Sequence, residues 1–227
     1  MEIDAKPSEE SKEARRNLVV HAVHYPFEKM ADVLVRLKVD PGHITASKIP
    51  LTIAALAVHQ ATPVEGAVAF LLASVPDILD GKVARKSGKV TLEGAVLDAL
   101  VDKIVNAYVY LYLLVQMDWQ HMAPDVLLAV LMMLNAAFDV VSQRQRGGLI
   151  GQIRTSVHIV LNPGAATPGV NSQQANMAGK VKAHLQCYGI VAALVGAAYP
   201  SLSTLAVPFL SLSLVFSFKS IRGRSRQ

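Results

Sequence analysis

Cysteine is nearly absent from these 227 residues: Cys187 stands alone, which excludes an intramolecular disulfide framework and a zinc site built on paired cysteines. Charge is scarce too. Asp, Glu, Lys and Arg make up 17% of the chain against 52% hydrophobic residues, whereas a soluble domain carries about 25% charge. Together with a mean hydropathy of +0.36, this balance argues against disorder and against an ordinary soluble domain, and it points to a membrane protein. The first eighteen residues, MEIDAKPSEESKEARRNL, are polar and of mixed charge, so no secretory signal is expected. There is no internal repeat. The seven histidines form no spaced cluster, and His158 and His184 read as surface or packing residues.

A helix needs about 20 mostly apolar residues to cross a bilayer. Six stretches approach that, roughly 46–62, 64–84, 92–117, 123–142, 183–199 and 202–218. None is a clean hydropathy peak, and the placement of basic residues is more telling. The first, third and fifth connections, near residues 60–63, 118–123 and 200–201, lack Lys and Arg altogether. The second carries Arg85, Lys86 and Lys89, the fourth Arg144, Arg146, Arg154, Lys180 and Lys182, and the tail Lys219, Arg222, Arg224 and Arg226. Basic residues favour cytoplasmic loops, so the expected architecture is an all-α bundle of six transmembrane helices with both termini in the cytoplasm. The net charge of +5 could suit nucleic acid, but the basic residues are spread along one membrane boundary rather than gathered into a binding face.

Three segments follow. Residues 1–45 form a cytoplasmic N-terminal segment, in which Phe27, Met30, Val33, Leu34 and Leu37 recur at roughly helical spacing among charged residues and predict an amphipathic interfacial helix. Residues 46–218 form the six-helix domain, and residues 219–227 a basic cytoplasmic tail. Within the domain, 147–178 is rich in Gly, Pro, Ser and Asn and reads as a long connection, of the kind that is either functional or disordered. Trp119 suits an interfacial anchor or a loop residue equally well.

Acids are rare inside the spans, yet four fall close together. Asp77 and Asp80 are three apart near the end of the second span, and Asp98 and Asp102 are four apart near the start of the third. At those spacings each pair shares a helix face, and the short basic hairpin between the spans brings the faces together. Four carboxylates in a partly desolvated pocket repel unless cations are present. Hard divalent ions with oxygen ligands, magnesium above all, answer that need, and two of them clamp the oxygens of a phosphoryl displacement. Gly81, Ala84 and Gly94 let a ligand approach the helix backbones, and Arg85 offers a forked donor for phosphate. Small residues also serve close helix packing, and the competing account of the acids is a salt-bridge network with Lys82, Arg85 and Lys103.

The run DxxDGxxARx8GxxxDxxxD, unbroken from Asp77 to Asp102, resembles the signature of the CDP-alcohol phosphatidyltransferases, an integral-membrane helical family. The resemblance implies transfer of a substituted phosphate from a CDP-linked donor, CDP-diacylglycerol, to the hydroxyl of a second alcohol, with release of CMP. It assigns Asp77, Asp80 and Asp98 as ligands of Mg2+ or Mn2+, two ions in all, and Asp102 as a metal-associated residue and candidate general base. Asp80, Gly81, Ala84 and Arg85 would serve the nucleotide, and a homodimer is the family's expectation.

The first span resembles the PNxxTxxR start of the phosphatidylglycerophosphate synthases, but Gly42 and Lys48 depart from that pattern. Thr45 fits it and either faces the nucleotide or caps the helix. Arg146 and Arg154, eight apart, and Lys180 and Lys182 in the element GKVK match further features of that branch. They would form a basic pocket for glycerol 3-phosphate, with inositol phosphate, another polar alcohol or serine as alternatives. Asp139 and Asn135 form a polar pair within the fourth span to which the sequence assigns no role. A small divalent-cation transporter is the reading from a different class. It would need acids continuing outward along the third span, and none follows Asp102 there.

Overall fold

The computed structural model describes residues 25–117, 122–144, 149–161 and 177–224, and within them it is all-α. A surface helix α1 (25–36) is followed by α2 (Pro41–Ala61), α3 (Pro63–Leu72), α4 (Val75–Lys86) and α5 (Leu92–Gln116). Next come α6 (Met122–Arg144), α7 (Leu149–Leu161), α8 (Met177–Gly196), the single turn α9 (Pro200–Ser203) and α10 (Ala206–Arg224). A helix is present as α1 where one was expected in the N-terminal segment. It ends where Lys38 takes a left-handed φ of 55°, with Val39 N–H closing onto Leu34 O at 3.0 Å. Asp40 then caps α2 by accepting from Gly42 N–H at 3.0 Å, and Pro41 fills the first helical position, where no donor is needed.

The expected second span, 64–84, is two helices broken at Ala73 and Ser74. Pro76 explains the break, since it has no N–H to continue α3 but fits the first turn of a new helix. The restart places Asp77 in the first turn of α4, where the helix dipole favours negative charge. Pro208 acts alike in the last expected span, 202–218, which divides into α9 and the longer α10. The connection 147–178 also differs from expectation, because it contains the thirteen-residue helix α7. Its apolar residues Leu149, Ile150, Ile153, Val157, Val160 and Leu161 were concealed by the Gly- and Pro-rich composition of the stretch as a whole.

The core is shared by α2, α3, α5, α6, α8 and α10, with Leu56, Phe70, Val105, Val109, Met132, Ile190, Leu194 and Leu210 buried at its centre. Close approach is built in at three of the described glycines, Gly66, Gly189 and Gly196. A Cβ on Gly66 would fall 2.2 Å from the Cα of His59, and one on Gly189 would fall 2.8 Å from the Leu210 side chain. His59 itself is buried, and its Nε2 donates to Leu194 O at 3.0 Å, because a carbonyl can only accept. Its Nδ1 therefore accepts from the Tyr112 hydroxyl at 2.8 Å, which ties α2 to α5 and α8 far from the acids.

Outward faces are apolar as well. Leu111, Val115, Met133, Val140 and Val215 are each at least 60% exposed, an apolar surface that would be a liability in water and that lipid would cover. Among the described residues, α6 alone holds a stretch long and apolar enough to cross a membrane, Asp125–Ser142. The other helices are interrupted by proline or diluted by acids, lysines and serines.

Candidate active site

Helix α2 packs against both α4 and α5, and the three together bring the four aspartates to one place. Asp77, Asp98 and Asp102 each present a carboxylate oxygen within 4.8 Å of the others. The spacing of three and four residues turns each acid pair to one helix face, and the turn at Gly88, with φ +67°, reverses the chain between them. Asp80 stands beside this trio rather than in it, and its Oδ2 accepts from Thr45 Oγ1 at 2.5 Å. Thr45 is therefore no helix cap; it lies inside α2 and holds one of the four acids.

Lys48, one turn further along α2, donates to Asp77 Oδ2 at 2.5 Å and also to Asp102 Oδ1. Asp77 Oδ1 is a buried acceptor with no hydrogen-bond partner among the described residues. An unpartnered buried carboxylate oxygen on an acid grouped with two others is what a hard divalent cation completes. The donor set therefore fits a divalent metal.

The lysines named in the salt-bridge alternative lie elsewhere. Lys82 pairs with Glu28, and Lys103 lies 3.0 Å from Asp139. The cation that does reach the acids is Lys48, which in the sequence is only a departure from a pattern. Its position three residues after Thr45 was the available signal, since that spacing puts both side chains on one face. Arg85 is exposed near the C-terminal end of α4. A Cβ on Gly81 would be in ordinary contact with the Arg85 guanidinium, at 3.5 Å. Ala84 is half-buried. Gly94 belongs to the start of α5, where its N–H donates to Thr91 Oγ1 at 3.1 Å.

The residues expected to bind the acceptor are less gathered. Arg146 lies outside the described residues. Arg154 is exposed on α7, a helix that packs against both α5 and α2, and Lys180 is exposed at the start of α8. Lys182 instead turns inward to Asp139. Around that acid the sequence pair Asn135 and Asp139 acquires its partners. Gln186 donates to Asp139 Oδ2 at 3.1 Å, Ser213 donates to Asn135 Oδ1 at 2.8 Å, and Asn135 donates to Leu210 O at 3.2 Å. Neither His158 nor His184 approaches the acids as a ligand; His184 Nδ1 lies 2.8 Å from Lys180 O one turn earlier.

Helix α1 is fastened over α4 by ion pairs. Lys82 and Lys86 both reach Glu28, the latter at 2.9 Å, and Lys86 lies 2.6 Å from Asp32. The Lys82 ammonium hydrogen-bonded to it, with Lys86 alongside, holds the Glu28 carboxyl down to about 2. Between α1, α2 and α4 lies an apolar cavity of about 590 Å³, lined by Met30, Val33, Leu34, Ile44, Pro76 and Leu79. Pro76, in the wall of this cavity, immediately precedes Asp77 in the chain.

These features define, among the described residues, an all-helical protein with apolar outward faces and a carboxylate cluster whose donors fit a divalent cation. The model of the CDP-alcohol phosphatidyltransferase family matches residues 41–218, and the chain belongs to that family. It is 31% identical over 117 residues to a phosphatidylinositol phosphate synthase of Corynebacterium glutamicum, covering 51% of this chain and 53% of that one. It is 34% identical over 89 residues to a CDP-diacylglycerol–glycerol-3-phosphate 3-phosphatidyltransferase of Rickettsia bellii, covering 36% of this chain and 49% of that one. The chain thus spans about half the length of these curated relatives. No solved structure matches it.

Proposed function

We propose that this protein transfers the phosphatidyl group of CDP-diacylglycerol to a phosphorylated polyol, glycerol 3-phosphate first, and releases CMP. The observation that carries this reading is the convergence of Asp77, Asp98 and Asp102 within 4.8 Å, with Asp80 held by Thr45 beside them. The four aspartates would hold two Mg2+ or Mn2+, whose charge when bound offsets that of the donor's pyrophosphate. Gly81 and Ala84 keep the α4 backbone open to the cytidine nucleotide, and the Arg85 guanidinium sits where it can pair with phosphate. Asp102 takes the proton of the acceptor hydroxyl. The acceptor's oxygen then attacks the phosphorus bearing diacylglycerol, forming the new ester bond as the bond from that phosphorus to CMP breaks and CMP leaves.

Arg154, with Arg146 and Lys180, is the proposed acceptor-phosphate group, because a doubly charged acceptor needs fixed cations beside an acidic site. The apolar cavity next to Pro76 suits an acyl chain of the donor. In this reading the bundle spans the cytoplasmic membrane six times with both termini inside, α1 lies on the cytoplasmic surface, and the site opens to the cytoplasm. A second reading, inositol phosphate as acceptor, is favoured by the longer of the two matches, that to the phosphatidylinositol phosphate synthase. The family match and the absence of acids on α5 beyond Asp102 favour an enzyme over a cation transporter.

The test is CMP release by the purified protein from CDP-diacylglycerol with glycerol 3-phosphate, inositol phosphate, inositol and serine in parallel. Release with a phosphorylated polyol and none with inositol or serine supports the reading. Release with serine alone, or no release with any acceptor, rejects it.

A further inference from the structure

Lys48 enters the acid cluster from a third helix. Its residue is 7% exposed, and its ammonium bridges Asp77 on α4 and Asp102 on α5. These are two of the three acids whose oxygens lie within 4.8 Å of one another. A divalent ion centred among the three would sit beside the Lys48 ammonium, and two cations confined to one small site repel. Without Lys48 the metal-free cluster would be three carboxylates facing one another with no cation among them, an arrangement that opposes folding.

The geometry points to Lys48 as a tethered cation that occupies the acid cluster while no divalent ion is bound and yields Asp77 and Asp102 when one enters. Lys48 thereby weakens metal binding and holds α2, α4 and α5 together in the metal-free protein. These are two faces of one free energy, since a contact made only in the metal-free state must be given up on binding. The inference rests on the reading that the trio is a metal site, and it adds a residue that tunes the site's affinity and supports the bundle between loadings.

Mn2+ binding to the chelator-stripped, full-length protein in lipid nanodiscs, followed by the spin resonance of the free ion, tests it together with thermal unfolding. Lys48→Met is expected to bind Mn2+ at least about tenfold more tightly than wild type, the lower end of what an opposite charge at this range does to a carboxylate's equilibria. Its metal-free melting temperature falls, and saturating Mn2+ closes most of the gap to wild type. Lys48→Arg, which keeps a cation and can fork across both carboxylates, binds Mn2+ no more tightly than wild type. Unchanged or weaker binding in Lys48→Met overturns the inference, as does tighter binding in Lys48→Arg should the first variant not fold. Asp98→Asn separates the two layers. If it leaves Mn2+ binding intact, the metal-site reading fails and this inference with it; if it abolishes binding, the result for Lys48 is judged on its own.

Discussion

Asp139→Asn keeps the shape of the side chain at the centre of the bundle and removes the carboxylate that Lys103 and Lys182 share. Asp139 is 4% exposed and Lys182 5%, and Gln186 donates to the second carboxylate oxygen. Removing one partner of a buried ion pair destabilises by about 3–5 kcal/mol, because the remaining charge stays buried without compensation. The low end applies here, since the Lys103 side chain retains 20% exposure and keeps some access to polar surroundings. With roughly 2–4 °C of melting temperature per kcal/mol for a chain of this size, about 3 kcal/mol becomes a fall of about 6–12 °C. The assay is thermal unfolding of the purified protein in detergent or nanodiscs, monitored by intrinsic fluorescence. A control removes the charges together: Lys103→Met, Asp139→Leu and Lys182→Met in one chain should recover most of the lost stability, as apolar replacement of buried ion pairs often does. A single variant melting within about 1 °C of wild type would refute the burial argument. A triple variant as unstable as the single one would place the loss in shape and in the Gln186 hydrogen bond instead.

Other outcomes follow from the site. Excess chelator should abolish CMP release and added Mg2+ or Mn2+ restore it, because the trio cannot carry its charge beside a pyrophosphate without a cation; full activity in chelator would remove the metal from the account. Asp102→Asn should lower kcat about 10²–10⁴-fold with donor binding retained, whereas an equal loss of metal affinity would make Asp102 a ligand first. Arg154→Ala should raise the KM for the phosphorylated acceptor and leave the KM for CDP-diacylglycerol nearly unchanged; the reverse pattern would assign α7 to the donor. The Glu28 carboxyl lies below its ordinary value, so the stabilisation from its lysine pairs is complete above pH of about 4.5 and is lost as pH falls through about 2. Proteolysis near α1 should therefore rise over that window and be insensitive to pH between 5 and 8, and a Glu28→Gln variant should lose the acid-dependent step.

What was legible in the sequence was short in range. Asp77 with Asp80, and Asp98 with Asp102, are i,i+3 and i,i+4 pairs, and helical geometry alone turns each pair to one face. Helix α1 was legible for the same reason, in its recurring apolar positions. Contacts between distant parts of the chain left no such pattern: Lys48 meets partners 29 and 54 residues away, and Lys182 meets Asp139 across 43. A lysine near a span boundary looks the same whether it faces lipid headgroups or an acid cluster. The proline breaks at Pro76 and Pro208 were visible as residues, yet a hydropathy window long enough to find a span averages across them. The same averaging concealed α7, whose thirteen residues lie in a stretch dominated by Gly, Pro and Ser. Asp40, not Thr45, caps α2, because Pro41 fixes where the helix starts and leaves Thr45 inside it, aimed at Asp80.

The central claim, that the aspartate cluster performs phosphatidyl transfer, meets its most direct test in one comparison. Formation of labelled phosphatidyl product from CDP-diacylglycerol and a phosphorylated polyol would be measured for wild type and for Asp98→Asn, folded alike and both saturated with Mg2+. The account predicts product in equal amount to the CMP released by wild type and essentially none from Asp98→Asn. Product formation by Asp98→Asn at the wild-type rate would contradict it.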